Sequence, residues 1–336
     1  MAGVGKAHLR DADDIIVRVE DLVVEFPAAG GRKVHAVSGI SFDIRDGETL
    51  GLVGESGCGK STTGRAMLQL PPPTSGSVNF DGVELTGLGS EDVRKLRPRL
   101  QMIFQDPVSS LNERRTVSDL VGDGLKIWGW DKKAIPGRVA EVLDAVGLDA
   151  ETVGDRYPRS FSGGQCQRIC IARALVLDPK VVVCDEPVSA LDVSVQAQIL
   201  NLLQDMRERY GITLVFITHD LGVVRNVSDR IIVMYLGRIC EVATPDDLFD
   251  TPAHPYTRLL MESVPRIEVD GPTERPPLPE GELPSPIDPP SGCRFRTRCP
   301  IAQDVCSTDV PEVAEIKPGH FVACHFPVLD DPISIR

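Results

Sequence analysis

No run of 18 or more apolar residues occurs in this chain; the longest, such as 212–217, have strand length. The chain is therefore not expected to span a membrane by itself. Positive charge is also short: 36 lysines and arginines face 49 acids, a formal net charge of −13. A nucleic-acid binder needs clustered cations to displace counterions from phosphate, so that class is disfavoured. Residues 1–14 are mixed in charge and lack an apolar core, which excludes a secretory signal. The expected compartment is the reducing cytosol. There the nine cysteines read as buried hydrophobes or metal ligands rather than disulfides. Internal repeats and heptad arrays are absent. What is present is 42% hydrophobic and 25% charged residues, the make-up of a folded protein. The length of 336 residues suggests one large unit and one small.

The first two thirds alternate short apolar runs with helical spacing. Residues 15–19 and 41–44 alternate with period two, and 50–53 and 100–104 are compact apolar runs, so all four read as strands. Residues 181–184 and 213–218 are β-branched and apolar without polar alternation, as in strands of a parallel sheet covered on both faces. Residues 60–70 read as a helix stopped by Pro71-Pro72-Pro73. Helical spacing recurs near 117–125, 138–146 and 165–177, which defines a helical insertion at about 106–178, and again at 195–209. Residues 231–234 and 238–242 are expected to close the sheet as a hairpin around Leu236-Gly237. The fold class expected is α/β, with a domain at 1–250 and an extension at 251–336.

Gly54-Glu55-Ser56-Gly57-Cys58-Gly59-Lys60-Ser61 fits G-x-x-x-x-G-K-[ST] between a strand and a helix. Glycines let the backbone curl until its N–H groups face phosphate oxygens, and the helix adds the positive end of its dipole. Lys60 supplies a cation for the β- and γ-phosphates, and Ser61 a hydroxyl ligand for Mg²⁺. Thr62 is taken with the site. Cys58 fills a position that needs a small side chain, at a helix end where a thiol pKa can be depressed. The strand at 181–184 runs into Asp185-Glu186. An acid at the carboxyl end of a parallel strand lies where ligands bind, so Asp185 is assigned to Mg²⁺. Glu186, one residue on, points elsewhere and is assigned as general base for an attacking water. The bland alternatives are a glycine-rich turn and an acidic strand end; together in one chain they lose to a nucleotide site.

Phe161-Ser162-Gly163-Gly164-Gln165 resembles LSGGQ, the signature of ATP-binding cassette (ABC) ATPases, with phenylalanine for the usual leucine. Gln105 resembles that family's Q-loop glutamine, Ser189-Ala190-Leu191-Asp192 its D-loop, and His219 its switch histidine. Phe26 stands where the family stacks an aromatic ring on adenine. The resemblance covers about 15–265 and implies a P-loop (RecA-like) cassette with a helical subdomain. It implies that Gln105 shares in the Mg²⁺ site and that His219 bonds the γ-phosphate and helps to orient Glu186. It also implies head-to-tail dimers, in which Ser162, Gly163, Gly164, Gln165 and Asp192 of one chain serve ATP held by the other. From the residues alone, Ser162 is a good N-cap, and Gly163-Gly164 expose amides at a helix end. Phe161 is expected to pack rather than touch nucleotide. Left to themselves, Gln105 would be a surface residue, His219 a capping or core histidine, and Cys184 a core residue.

Beyond about 265 the composition shifts. Residues 271–292 hold eight prolines and read as a semi-rigid linker. Residues 293–324 then gather Cys293, Cys299, Cys306 and Cys324, in a tail too small for a core of its own. His254-Pro255-Tyr256-Thr257, the proline-rich stretch and the spaced cysteines resemble the C-terminal extension of oligopeptide/dipeptide importer ATPases. Their spacing is unlike that of zinc fingers. Four thiolates suit an iron–sulfur cluster, to which the resemblance also points as [4Fe-4S]. Tetrathiolate zinc is the alternative, with His320 and His325 as other candidate ligands.

The resemblance implies the energising subunit of an ABC importer, peripheral on the cytoplasmic face of the membrane. Its expected partners are two permease chains, a second ATPase subunit and an external solute-binding protein, with no nucleic acid. The alternatives are an ABC ATPase acting on nucleic acid or ribosomes, disfavoured by the single cassette and acidic charge, and an iron–sulfur-regulated ATPase. The solute (peptide, nickel or glycoside) is specified elsewhere, in the binding protein and the permeases.

Overall fold

The computed structural model describes residues 5–262 and 283–329. The expected linker at 271–292 lies outside the described residues as far as 282. The described residues fall in two compact units: Gly89–Ile217 forms one, and the chain on either side of it forms the other.

The flanking unit contains two sheets. In the first, β1 (Ile15–Pro27) and β2 (Lys33–Arg45) pair antiparallel, and β4 (Ser75–Phe80) and β5 (Val83–Glu84) follow in the order β2-β1-β4-β5. These first two strands run far beyond 15–19 and 41–44. The cause is irregular register: shifts between Val19 and Leu22, and Asp21 in a left-handed conformation (φ 50°), break the alternation that marks a strand in sequence. The second sheet begins with β3 (Thr49–Val53), buried along its whole length and leading into the glycine-rich loop. It pairs parallel with β9 (Arg230–Tyr235). A turn with positive φ at Leu236 (44°) and Gly237 (75°) joins β9 to antiparallel β10 (Arg238–Ala243), as the hairpin reading expects.

The hairpin does not close the sheet. Beyond β10 lie β12 (His320–Val322) and β11 (Ala314–Lys317), contributed by the cysteine-bearing tail. Nor is that tail without a core. Phe295 is 2% exposed and enters a hydrophobic cluster with Val53, Ile231, Tyr235, Leu248 and Tyr256. The Tyr235, Tyr256 and Phe295 rings meet at centroid separations of 4.7, 5.2 and 5.4 Å. The helix after the glycine-rich loop spans Lys60–Met67, shorter than 60–70 because Leu68 and Gln69 (φ 56°) leave helical geometry before the prolines.

The central unit carries three parallel strands in the order β8-β7-β6: β6 (Leu100–Ile103), β7 (Val181–Asp185) and β8 (Thr213–Thr218). Every residue of β7 and β8 is buried, which accounts for their unbroken apolar sequence. The insertion forms the helices Val117–Ile127, Ile135–Ala145, Ala150–Val153 and Gly163–Leu175, and Val193–Tyr210 follows β7.

Candidate nucleotide site and the tail beside it

The loop at 54–61 curls around its own lysine. Gly54, Gly57 and Gly59 take φ of 149°, 80° and 104°. At Gly59 a Cβ would stand 2.3 Å from the Ala36 carbonyl oxygen, so only glycine fits. Lys60 is 4% exposed, and its Nζ donates to the carbonyls of Gly54 (2.8 Å) and Glu55 (3.0 Å). Ser56 and Gly57 are exposed, while Ser61 and Thr62 are partly buried in the first helical turn. This is a helix end with exposed loop residues and a buried ammonium, an arrangement that can hold a polyphosphate. Burial pushes the Cys58 thiol up, with Lys60 opposing. Burial thus outweighs the lowering that a helix N-terminus can produce. Phe26, near the end of β1, is 36% exposed and available to a flat ligand.

In the central unit, Asp185 ends β7 fully buried, and Glu186 takes a left-handed backbone (φ 48°). The Glu186 N–H donates to the Ile217 carbonyl (2.9 Å) and the Gln105 amide donates to Glu186 Oε2 (3.0 Å). A strained, tethered carboxylate at a strand end is the kind of local cost that functional sites carry. The Gln105–Glu186 bond joins residues 81 apart in sequence. Ser162 and Gln165 form a reciprocal capping box on the helix Gly163–Leu175. Gln165 therefore shapes the helix end, which exposes Ser162 and Gly163 to solvent. A Cβ on Gly164 would lie 2.5 Å from Val195 Cγ1, so glycine admits the helix Val193–Tyr210 at close range. Phe161 packs under Arg156, 4.5 Å from the guanidinium carbon, as expected for a side chain that supports the loop. Asp192 is exposed at the N-terminus of Val193–Tyr210, and His219 is exposed after β8.

Cys293, Cys299, Cys306 and Cys324 line one small cavity with Phe295 and His325. Burial pushes the Cys293 and Cys299 thiols up and Cys324 to about 12. None of the nine cysteines is in a disulfide. Among the described residues no three His, Cys, Asp or Glu side chains converge on a single metal ion. His320 is removed from the candidate ligands, because its Nε2 meets Glu241 Oε1 (2.6 Å) in the core. Glu241 also accepts the backbone N–H groups of Ala253 (2.8 Å) and His254 (2.9 Å), tying β10, the segment at 253–256 and the tail together.

His254 Nδ1 accepts the Tyr256 N–H (3.0 Å), so the ring is held neutral, and burial lowers its pKa to about 4. A histidine with this depressed value stabilises the fold above its unfolded pKa of 6.5, and that stability is lost as pH falls from there towards 4. The interval corresponds to ~3 kcal/mol. Denaturant unfolding should therefore show His254→Gln to be less pH-dependent than the native chain between those limits. Equal slopes would remove His254 from the acid response.

Sequence comparison decides the family. The ABC transporter model matches residues 37–189, and the oligopeptide/dipeptide transporter C-terminal region matches 240–306. The oligopeptide transport ATP-binding protein AppF of Bacillus subtilis is 47% identical over 321 residues, spanning 93% of this chain and 97% of that protein. The chain belongs to the ABC transporter family of ATP-binding proteins. OppF of Escherichia coli, also an oligopeptide transport ATP-binding protein, is 47% identical over 92% of this chain and 96% of its own length. Among solved structures, cbiO1 of Clostridium perfringens, part of the ABC transporter complex cbiONQ, matches with TM-score 0.63 and 32% identity over 70% of this chain and 91% of that one. The cassette MJ0796, solved as a dimer in a post-hydrolysis state with ADP and Pi, matches with TM-score 0.62 and 29% identity over 68% and 98%. The fold is thus the P-loop cassette expected, and ATP hydrolysis is the activity of this ABC protein. Sequence reasoning overlooked Tyr256 and Arg298 as neighbours of the phosphate loop. The Glu55 N–H donates to the Tyr256 hydroxyl (2.8 Å), and Arg298 Nη1 pairs with the Glu55 carboxylate (2.9 and 3.0 Å). The first of these residues was visible only as part of a family hallmark, and the second carried no signal.

Proposed function

We propose that this chain is the ATP-hydrolysing subunit of an importer for oligopeptides or a chemically related solute, working at the cytoplasmic face of a membrane. The observation that carries it is the joint presence of a complete cassette and the oligopeptide/dipeptide C-terminal region in one chain. Among the described residues no helix is long and apolar enough to cross a membrane, so the solute path is assigned to partner permeases. A second ATPase subunit and an external solute-binding protein complete the proposed assembly.

In this reading residues 54–62 cradle the phosphates and Phe26 stacks on adenine. Ser162 and Gly164 of one chain, with Asp192 nearby, serve ATP held by the other. Ser61, Gln105 and Asp185 are oxygen donors, which suits a hard cation such as Mg²⁺. The ion, when bound, neutralises charge on the phosphates. Glu186 accepts a proton from the attacking water, Gln105 holds its carboxylate in place, and His219 bonds the γ-phosphate.

The four tail cysteines are proposed to carry a [4Fe-4S] cluster. The cavity that Cys293, Cys299, Cys306 and Cys324 line in common supports this, as does the all-thiolate donor set. The cluster would staple the tail. One purification tests the whole reading. The chain, isolated anaerobically from its native membrane, should carry two permeases and a second ATPase. It should hydrolyse ATP faster with a peptide-loaded binding protein and contain about four iron and four sulfide per tail. Recovery without permeases would sink the importer assignment, and a colourless zinc protein would sink the cluster.

A further inference from the structure

We propose that the C-terminal tail positions the phosphate loop of its own chain, with Tyr256 and Arg298 acting through Glu55. The proposal rests on residues 54–61 being the nucleotide site. Glu55 is the only acid in that loop. An unneutralised carboxylate there opposes a polyphosphate by simple repulsion. Arg298, beside Cys299 in the tail, meets both of its oxygens in a charge-assisted pair. The Tyr256 hydroxyl takes the Glu55 N–H, which turns this amide towards the protein and fixes the start of the loop. Tyr256 is itself fully buried, packed against Tyr235 and Phe295.

The tail also reaches the loop by a second route. Arg294 donates to the Leu236 carbonyl and to Ser38 Oγ (2.9 Å). The adjoining Gly237 N–H donates to the Cys58 carbonyl within the loop (2.7 Å), and the Gly237 carbonyl accepts the Ser38 N–H (2.9 Å). Further along, the Pro286 carbonyl accepts the His35 N–H (2.9 Å) on β2. Two arginines of one short segment thus brace the loop, one directly and one through the β9–β10 turn. Neither needs to touch nucleotide, so they are positioning residues, and their effect should fall on ATP affinity.

Steady-state hydrolysis in the assembled complex, with binding of a fluorescent ATP analogue to the full chain, separates the possibilities. Loss of a charge-assisted bond that is partly open to solvent should raise KM for ATP and the analogue's Kd about three- to tenfold in Arg298→Ala. With only uniform binding lost, kcat should stay within about twofold. Arg298→Lys should recover part of the affinity, since it restores charge without the fork. Tyr256→Phe keeps the ring packing and should show a smaller rise. Glu55→Gln removes the same pair, so Arg298→Ala with Glu55→Gln should be no worse than the poorer single variant. The proposal is overturned if Arg298→Ala leaves KM and Kd unchanged. It is overturned equally if the two single effects multiply, or if kcat falls with the melting temperature at constant KM. Failure of the native chain to bind the analogue would instead indict the nucleotide site itself.

Discussion

Glu186→Gln should bind ATP as tightly as the native chain and turn it over roughly 10²–10⁴ times more slowly, the usual contribution of general base assistance. The substitution preserves shape. Gln105 donates to Glu186 Oε2, and a glutamine at 186 can present its carbonyl oxygen to the same donor. The left-handed backbone at 186 is set by the N–H bond to Ile217, which no side chain provides. Only the basic charge disappears, so the loss should fall on kcat and spare the Kd for ATP. Turnover within a few-fold of native, measured in the assembled complex, would remove Glu186 from its role. Gln105→Ala provides a graded companion: it keeps the base but removes one donor to its carboxylate, and should cost less.

Ser162→Arg should abolish turnover of the complex while the isolated chain still binds ATP. Ser162 is exposed, and its hydroxyl caps a helix in a different compact unit from the phosphate loop. The lost cap costs about 1 kcal/mol, too little to unfold the chain. The bulk and charge of arginine would sit where the signature helix end must approach a neighbour's γ-phosphate. If ATP binding to the isolated variant falls in step with turnover, the signature serves its own chain and the head-to-tail arrangement is wrong.

The parts of this molecule legible in its sequence are those whose physics is local. β7 and β8 declared themselves because a strand buried on both faces must be continuously apolar. The loop at 54–61 did so because its curl requires glycine at particular steps. The N-cap role of Ser162 is likewise local, its hydroxyl accepting the Gln165 N–H three residues on. Legibility failed where register or distance intervened. β1 and β2 looked short because a bulge at Asp21 erases alternation, and the tail looked coreless because its anchor, Phe295, finds Tyr235 and Tyr256 only in three dimensions. Arg298 and Glu55 lie 243 residues apart, and neither residue type at either position announces the other. His320 was misread because spacing near cysteines cannot reveal that its ring meets Glu241 instead.

The pairing of β10 with β12 bears on the modularity of the cassette. Strand β10 has β9 on one side and the tail on the other, and its Ile239, Cys240 and Val242 are all buried. Cutting the chain ahead of Cys293 would not trim an appendage. It would bare a row of amide and carbonyl groups along an apolar edge, a template for self-association. It would also strand the Glu241 carboxyl group without His320. This cassette therefore does not end, as a structural unit, where its ATPase motifs end. Any graft has to carry its own tail, matched strand for strand to the β10 that receives it.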